Sequence, residues 1–200
     1  MAQKMKKLPV KRDGTKVIFQ ARVSYVHLKE PWSKDPKDKK SYSVSAIIDK
    51  TADKDIVEAI EAAVKEAYEK GVAGLWEGAR PNTESKNFRY PLKDGDIERG
   101  EDEAYAGKYF IGCNSSEKRQ PGVCNRLKEP IDPDQVYSGC YCLLIVNFFP
   151  FNKGSKGIGA GLNAVMKLYD GDRLGGGGGS SWDDFDGIEG LDEVEDLDDL

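Results

Sequence analysis

Residues 15–28 alternate between apolar and polar positions. Val17, Phe19, Ala21, Val23 and Tyr25 fall on one side, Lys16, Gln20, Arg22 and Ser24 on the other, with Ile18 and Val26 as interruptions. A period of two over this length predicts a long strand with one buried face. Residues 41–48 repeat the pattern, Tyr42, Val44, Ala46 and Ile48 against Ser41, Ser43 and Ser45, and predict a second strand. Between them, residues 29–40, with Pro31, Trp32 and Pro36, predict a polar loop. Over residues 53–70 the period changes. Ile56, Val57, Ile60, Ala63, Val64, Ala67 and Tyr68 recur at intervals of three and four, which predicts an amphipathic helix stopped by Gly71. Residues 71–100, broken by Gly74, Gly78, Pro81, Pro91 and Gly95, predict an irregular surface excursion, and strands are expected again at 108–113, about 122–127, 139–149 and from 161 to about 169. The fold class is therefore mainly β with one helix (α+β). Glycines at the corners favour a five-stranded, partly open barrel like the OB-fold, although the element order alone also fits other α+β folds.

Five consecutive glycines at 175–179, followed by Ser180 and Ser181, predict a flexible Gly/Ser linker over 175–181, because such a run loses too much backbone entropy to hold a fixed element. It separates a folded domain, 1–174, from an acidic tail, 182–200. Charge sharpens this division. Residues 171–200 carry 11 acids and one base, and the rest carries 24 acids and 29 bases, so a net charge of −5 is the sum of a body at +5 and a tail at −10. The tail's acids predict disorder, and Ile188, Leu191, Val194, Leu197 and Leu200, three apart, would form an apolar face once a partner neutralised them. A basic body hinged to an acidic arm implies a polyanionic partner. Two hundred residues, 38% hydrophobic and 32% charged, allow one modest core and exclude a large multidomain enzyme. No apolar run approaches 18 residues and no apolar stretch follows the lysines of the N-terminus, so neither a membrane-spanning helix nor a signal peptide is expected.

Within the body, bases recur beside aromatics. Residues 29–40 hold Lys29, Lys34, Lys37, Lys39 and Lys40 around Trp32, and the association repeats at Phe88-Arg89-Tyr90, Lys108-Tyr109-Phe110, Lys118-Arg119, Arg126 with Lys128, and Lys153 and Lys156 near Phe149 and Phe151. Single-stranded nucleic acid is recognised by this combination, ammonium groups following phosphates while rings stack on bases. The loop also reads as a solvated connection whose tryptophan folds back on the core. No helix-turn-helix, zinc-finger or basic-zipper pattern is present, which disfavours sequence-specific readout. Cys113, Cys124, Cys140 and Cys142 lack paired C-x2-C spacing and are expected to be free, mostly buried thiols, with no metal or other cofactor. His27 has no nucleophile to serve. The stretch 154–162 fits neither phosphate-loop template and predicts a mobile glycine-rich loop between strands, and Asp94-Gly95-Asp96 and Glu101-Asp102-Glu103 read as solvated charge.

Taken together, residues 16–28, Lys40-Ser41-Tyr42-Ser43-Val44, the helix over 56–68, Val136-Tyr137-Ser138-Gly139-Cys140-Tyr141, Asn147-Phe148, the run from Lys156 to Asn163 and the acidic tail resemble a phage-encoded single-stranded-DNA-binding protein family. The resemblance covers nearly the whole chain, and the stretches 137–141 and 157–163 are its most distinctive parts. It implies an OB-fold, sequence-independent coating of single-stranded DNA in phage replication and recombination inside the infected host's cytoplasm, and a C-terminus that contacts replication proteins such as a polymerase, helicase or primase. Candidate DNA-contacting residues are Lys16, Arg22, Lys29, Trp32, Lys34, Lys37, Lys39, Lys40, Tyr42, Arg89, Tyr90, Lys108, Tyr109, Arg126, Lys153 and Lys156. Candidate partner-docking residues in the tail are Trp182, Asp183, Asp184, Phe185, Asp198, Asp199 and Leu200. Oligomeric state stays open, a homodimer included. The alternative from another class is an interaction adaptor whose tail is the working part and which binds no nucleic acid. A nuclease ranks third, because it would need clustered carboxylates for a metal.

Overall fold

The computed structural model describes residues 6–174; the linker at 175–181 and the tail at 182–200 lie outside the described residues. In chain order the elements are β1 (Lys11–Asp13), β2 (Lys16–Trp32), β3 (Ser41–Asp49), α1 (Lys54–Ala73), β4 (Phe88–Arg89), β5 (Leu92–Asp94), α2 (Gly95–Glu98), a 3-10 turn (Glu103–Tyr105), β6 (Lys108–Ser116), β7 (Gly122–Cys124), a second 3-10 turn (Pro133–Gln135), β8 (Tyr141–Lys153) and β9 (Ser155–Tyr169).

Five strands close a barrel in the order β2, β3, β6, β9, β8 and back to β2. All neighbours are antiparallel except β6 and β9, which run parallel and meet through a single pair, Asn114 with Gly161. Short strands fill the seam on both sides of that pair: β5 on β6 and β4 on β9 at one end, β7 on β9 at the other. The predicted alternation places the core. Val17, Phe19, Ala21 and Val23 of β2 point inward with Val44, Ala46 and Ile48 of β3, Ile111 and Cys113 of β6, and Leu144, Val146 and Phe148 of β8. Burial of each large apolar side chain contributes roughly 1.5–3 kcal/mol. Helix α1 turns Ile56, Ile60, Ala63, Val64 and Ala67 onto this core, packing mainly on β8.

Three expectations are corrected. The first concerns the helix end: α1 does not stop at Gly71 but runs to Ala73, with Gly74 as its C-cap. Gly71 is a helix residue whose lack of a side chain makes room for Trp76 and Pro150; a Cβ there would lie 2.8 Å from the Trp76 ring. The second concerns residues 154–162, which are not a loop. The β8–β9 hairpin turns tightly at Gly154 (φ 77°), and β9 begins at Ser155. Ile158, Ala160 and Leu162 alternate into the core while Gly157, Gly159 and Gly161 occupy the other face. Strand β2 also continues through residues 29–32, beyond the predicted end, after a bulge at Tyr25, whose φ is 47°. The 71–100 excursion contains β4, β5 and α2.

Candidate nucleic-acid interface

Strands β3 and β8 both run antiparallel to β2, so the 33–40 loop before β3 and the hairpin turn after β8 lie at opposite ends of the barrel. Between them is the outer face of β2, β3 and β6. Register defines its rows: Arg22, Ile47 and Phe110; then Ser24, Ser45 and Gly112; then His27, Ser43 and Asn114.

An arm made of α2 and the 95–106 segment covers the first two rows in part. The Tyr105 side chain is buried there, its hydroxyl 2.5 Å from Ser24 Oγ and donating to Ser45 Oγ at 3.3 Å. Its ring meets Phe110 edge-on at 5.2 Å. Above both, the Arg99 guanidinium lies 4.5 Å from the Tyr25 ring centroid, 4.6 Å from Tyr105 and 4.7 Å from Phe110. The bulge at Tyr25 turns that ring outward, 55% exposed, to complete the set.

Beyond the arm, Gly112 and Asn114 are exposed and Ser43 half-buried, so the floor consists of small groups that obstruct nothing. Its far wall is Trp32, 50% exposed and stacked on His27 with centroids 4.7 Å apart and planes 7° from parallel. One face of the indole is thus held and the other is open. Partial burial holds the His27 pKa below its ordinary value, which favours the neutral ring in this stack. The adjoining loop is folded by Asp35, whose carboxylate accepts from the Lys37 amide and whose carbonyl accepts from the Asp38 amide and the Ser33 hydroxyl. Lys34, Lys37, Lys39 and Lys40 project from it, exposed, and form no ion pair among the described residues.

The sequence candidates therefore separate into three sets. Trp32, Lys34, Lys37, Lys39 and Lys40 gather at the loop end of the face, whereas Tyr42, half-buried, alternates with Ser43 and falls on the other side of β3, in line with Val44. Arg89, Lys153 and Lys156 gather at the β8–β9 hairpin end, where β4 pairs with β9, while Tyr90, next to Arg89, is half-buried and packs against the core. The others are engaged elsewhere. Lys16 pairs with Asp13, and Lys29 with Asp132 and Asp134, which raise its pKa. Arg22 is spent on backbone, donating to the Gly139 and Asp172 carbonyls. Lys108 donates to Asp49; that bond, with the Ala52 and Thr51 amides, holds the Asp49 carboxyl at about 2. Tyr109 packs against the core under Lys50, and Arg126 lies over Tyr169. The tail candidates Trp182, Asp183, Asp184, Phe185, Asp198, Asp199 and Leu200 lie outside the described residues.

Tyr25, Arg99, Ser43, Gly112 and Asn114 were not among the sequence candidates. The Val26 interruption in the alternation was a usable signal for the bulge; the role of Arg99 depends on tertiary contacts that no local pattern carries.

Among the described residues no group of His, Cys, Asp and Glu could hold a metal ion, and no helix is long and apolar enough to cross a membrane. All four cysteines are free, and Cys113, Cys140 and Cys142 are buried. Burial pushes the Cys113 thiol up to about 12 and Cys142 higher still, so both stay protonated at neutral pH. The acidic groups near residue 95 are structural: Asp94 and Asp96 pair with Lys50, and Asp102 caps the 3-10 turn.

A closed five-stranded barrel with this order, its parallel seam between third and fifth strands, is an OB-fold, a class that takes oligonucleotides across its second and third strands and the loops at either end. The chain belongs to the family of the single-stranded-DNA-binding protein of Enterobacter phage Enc34, whose profile matches residues 15–198. A relative, the putative protein p50 of Acyrthosiphon pisum secondary endosymbiont phage 1, is 29% identical over 175 residues, 84% of this chain and 90% of that protein. Among solved structures, the single-stranded DNA-binding protein from bacteriophage Enc34 in complex with ssDNA superposes with a TM-score of 0.70 at 23% identity, covering 87% of this chain and 100% of that one. The bacteriophage T7 single-stranded DNA-binding protein gp2.5 gives 0.51 at 18% identity, covering 92% and 98%. At these identities the structural likeness speaks for the fold.

Proposed function

We propose that this protein binds single-stranded DNA without sequence preference, coating it during phage replication and recombination in the host cytoplasm, and that it does so as a non-enzymatic binder. The observation that carries this reading is the coincidence of an open floor, Ser43, Gly112 and Asn114, with a half-exposed indole backed by His27 and four lysines unpaired among the described residues. Stacking on the indole and phosphate neutralisation by the lysines act on any sequence, because every base has a π-face and every nucleotide a charge. The acidic tail recruits replication proteins. Its charge of −10 against a body of +5 supports a tail that competes for the groove and is displaced by DNA. Leu174, the last residue described before the linker, packs with Ile47, Tyr105 and Phe110 beside the face.

A polarisation titration of the full chain against labelled oligo(dT), a duplex of equal length and the matching RNA, in rising NaCl, tests the proposal. Each phosphate neutralised on a single strand contributes roughly −0.7 to the slope of log affinity on log salt. With the four loop lysines engaged, oligo(dT) affinity should fall roughly 50-fold between 50 and 200 mM salt. A flat response, or equal affinity for duplex, contradicts the proposal and favours the adaptor reading.

A further inference from the structure

We propose that Phe149 is a second nucleobase-stacking platform, placed on the β8–β9 side of the barrel seam and served by Arg89 and Lys156 as phosphate contacts. This rests on the single-stranded-DNA reading above and extends the groove beyond the β2–β3–β6 face. Phe149 is one of few large apolar side chains left exposed in the described fold, 43% accessible in a strand where Phe148, beside it, is buried. Its ring does not hang free. It lies over Gly159, its direct partner in β9, and over Gly161; a Cβ at Gly159 would sit 2.7, 3.0 and 3.2 Å from three ring atoms, and one at Gly161 would sit 3.4 Å from the ring. The inner face is thereby seated on backbone while the outer face is open, the same condition that His27 creates for Trp32.

Position makes the ring part of one path. Gly161 is the residue that pairs with Asn114 across the seam, and Asn114 is the end of the groove floor. In the other direction along β9, Gly157 pairs with Arg89, and Phe151 packs over the same spot. Arg89, Lys153 and Lys156 form no ion pair among the described residues. Arg89 and Lys156 border a cavity of about 490 Å3 together with Lys86 and Ser155. The Ser155 hydroxyl is buried there and has no hydrogen-bond partner among the described residues. Unpaired cations with an orphaned hydroxyl match a phosphate oxygen, which supplies negative charge and an acceptor at once. A neutral apolar partner would leave these cations uncompensated, which selects nucleic acid over a hydrophobic segment as the occupant.

A purely structural ring, placed to cover bare glycine backbone, would give the same packing. Phe149→Leu separates the two, since leucine keeps apolar cover but has no π-face. With oligo(dT) of about 20 nucleotides and the full chain, Phe149→Leu should lose affinity on the order of ten-fold with its thermal midpoint close to the parent's. Phe149→Trp should keep the affinity and show fluorescence quenching by oligo(dT) beyond that of the parent's own tryptophans. Arg89→Gln should reduce the salt slope by roughly 0.7. Parent-like affinity in Phe149→Leu overturns the platform while leaving the single-stranded-DNA reading intact. Absence of oligo(dT) binding by the parent removes that reading and the platform with it. Should Phe149→Leu not fold, unquenched fluorescence in a binding-competent Phe149→Trp overturns the proposal.

Discussion

Reversing Lys34, Lys37, Lys39 and Lys40 together to glutamate should weaken single-stranded DNA binding by two to three orders of magnitude at 50 mM salt and flatten the salt slope by roughly 3. The four ammonium groups are exposed and have no acidic partner among the described residues, so their charge is available to phosphate. None supports the fold. The loop is shaped by Asp35 and its backbone contacts, and surface changes of this kind usually stay within about 0.5 kcal/mol in stability. Lys29→Gln is the matched control. Its ammonium already sits between Asp132 and Asp134, so its removal should cost DNA affinity far less than the loop lysines. An unchanged affinity in the fourfold variant, measured beside a normal melting curve, would place the working surface elsewhere and leave the adaptor reading standing.

The second large effect concerns stability. Tyr105→Ala should destabilise the domain by about 3–5 kcal/mol, as expected when a fully buried aromatic is removed. For a domain of this size that corresponds to roughly 6–20 °C in the thermal midpoint. The side chain does three things at once. It fills the space between Ile47 and Phe110, it satisfies the buried Ser24 and Ser45 hydroxyls, and it forms one of the three rings around Arg99. Tyr105→Phe keeps the ring and orphans only the hydroxyls, at about 1–3 kcal/mol. The gap between the two variants measures packing against hydrogen bonding. A midpoint in Tyr105→Ala within two degrees of the parent would show that the arm over 95–106 is not fastened to the barrel by this residue.

These two residue groups differ in how far a sequence reader can find them. The β2 and β3 strands, the α1 face and the cluster of lysines near Trp32 are local patterns, set by side-chain period and composition within 20 residues, and were legible, although Lys29 and Trp32 belong to the end of β2 and not to the loop. Closure of the barrel was not, because Asn114 and Gly161 are far apart in the chain and meet through one pair. The glycine-rich 154–162 stretch misled for a related reason. Glycine weakens strand propensity, and the Ile158, Ala160, Leu162 alternation that overrides it is short. Which cations remain free was also invisible in one dimension. Lys29, Arg22 and Lys108 look like the loop lysines in sequence, yet distant acids and carbonyls occupy them in the fold. Tyr25 and Arg99 became site residues only through a bulge and an arm that bring them together.

The central claim is that the open strip from Trp32 across Ser43 and Asn114 is where unpaired nucleotides lie. Photo-crosslinking of the full chain to 5-iodouracil-substituted oligo(dT), with the attachment sites mapped by mass spectrometry, tests it most directly. Adducts are expected on Trp32 and Tyr25, beside that strip, and none on the solvent side of α1, residues 54–73. Adducts concentrated on α1, or spread evenly around the barrel, would contradict the claim.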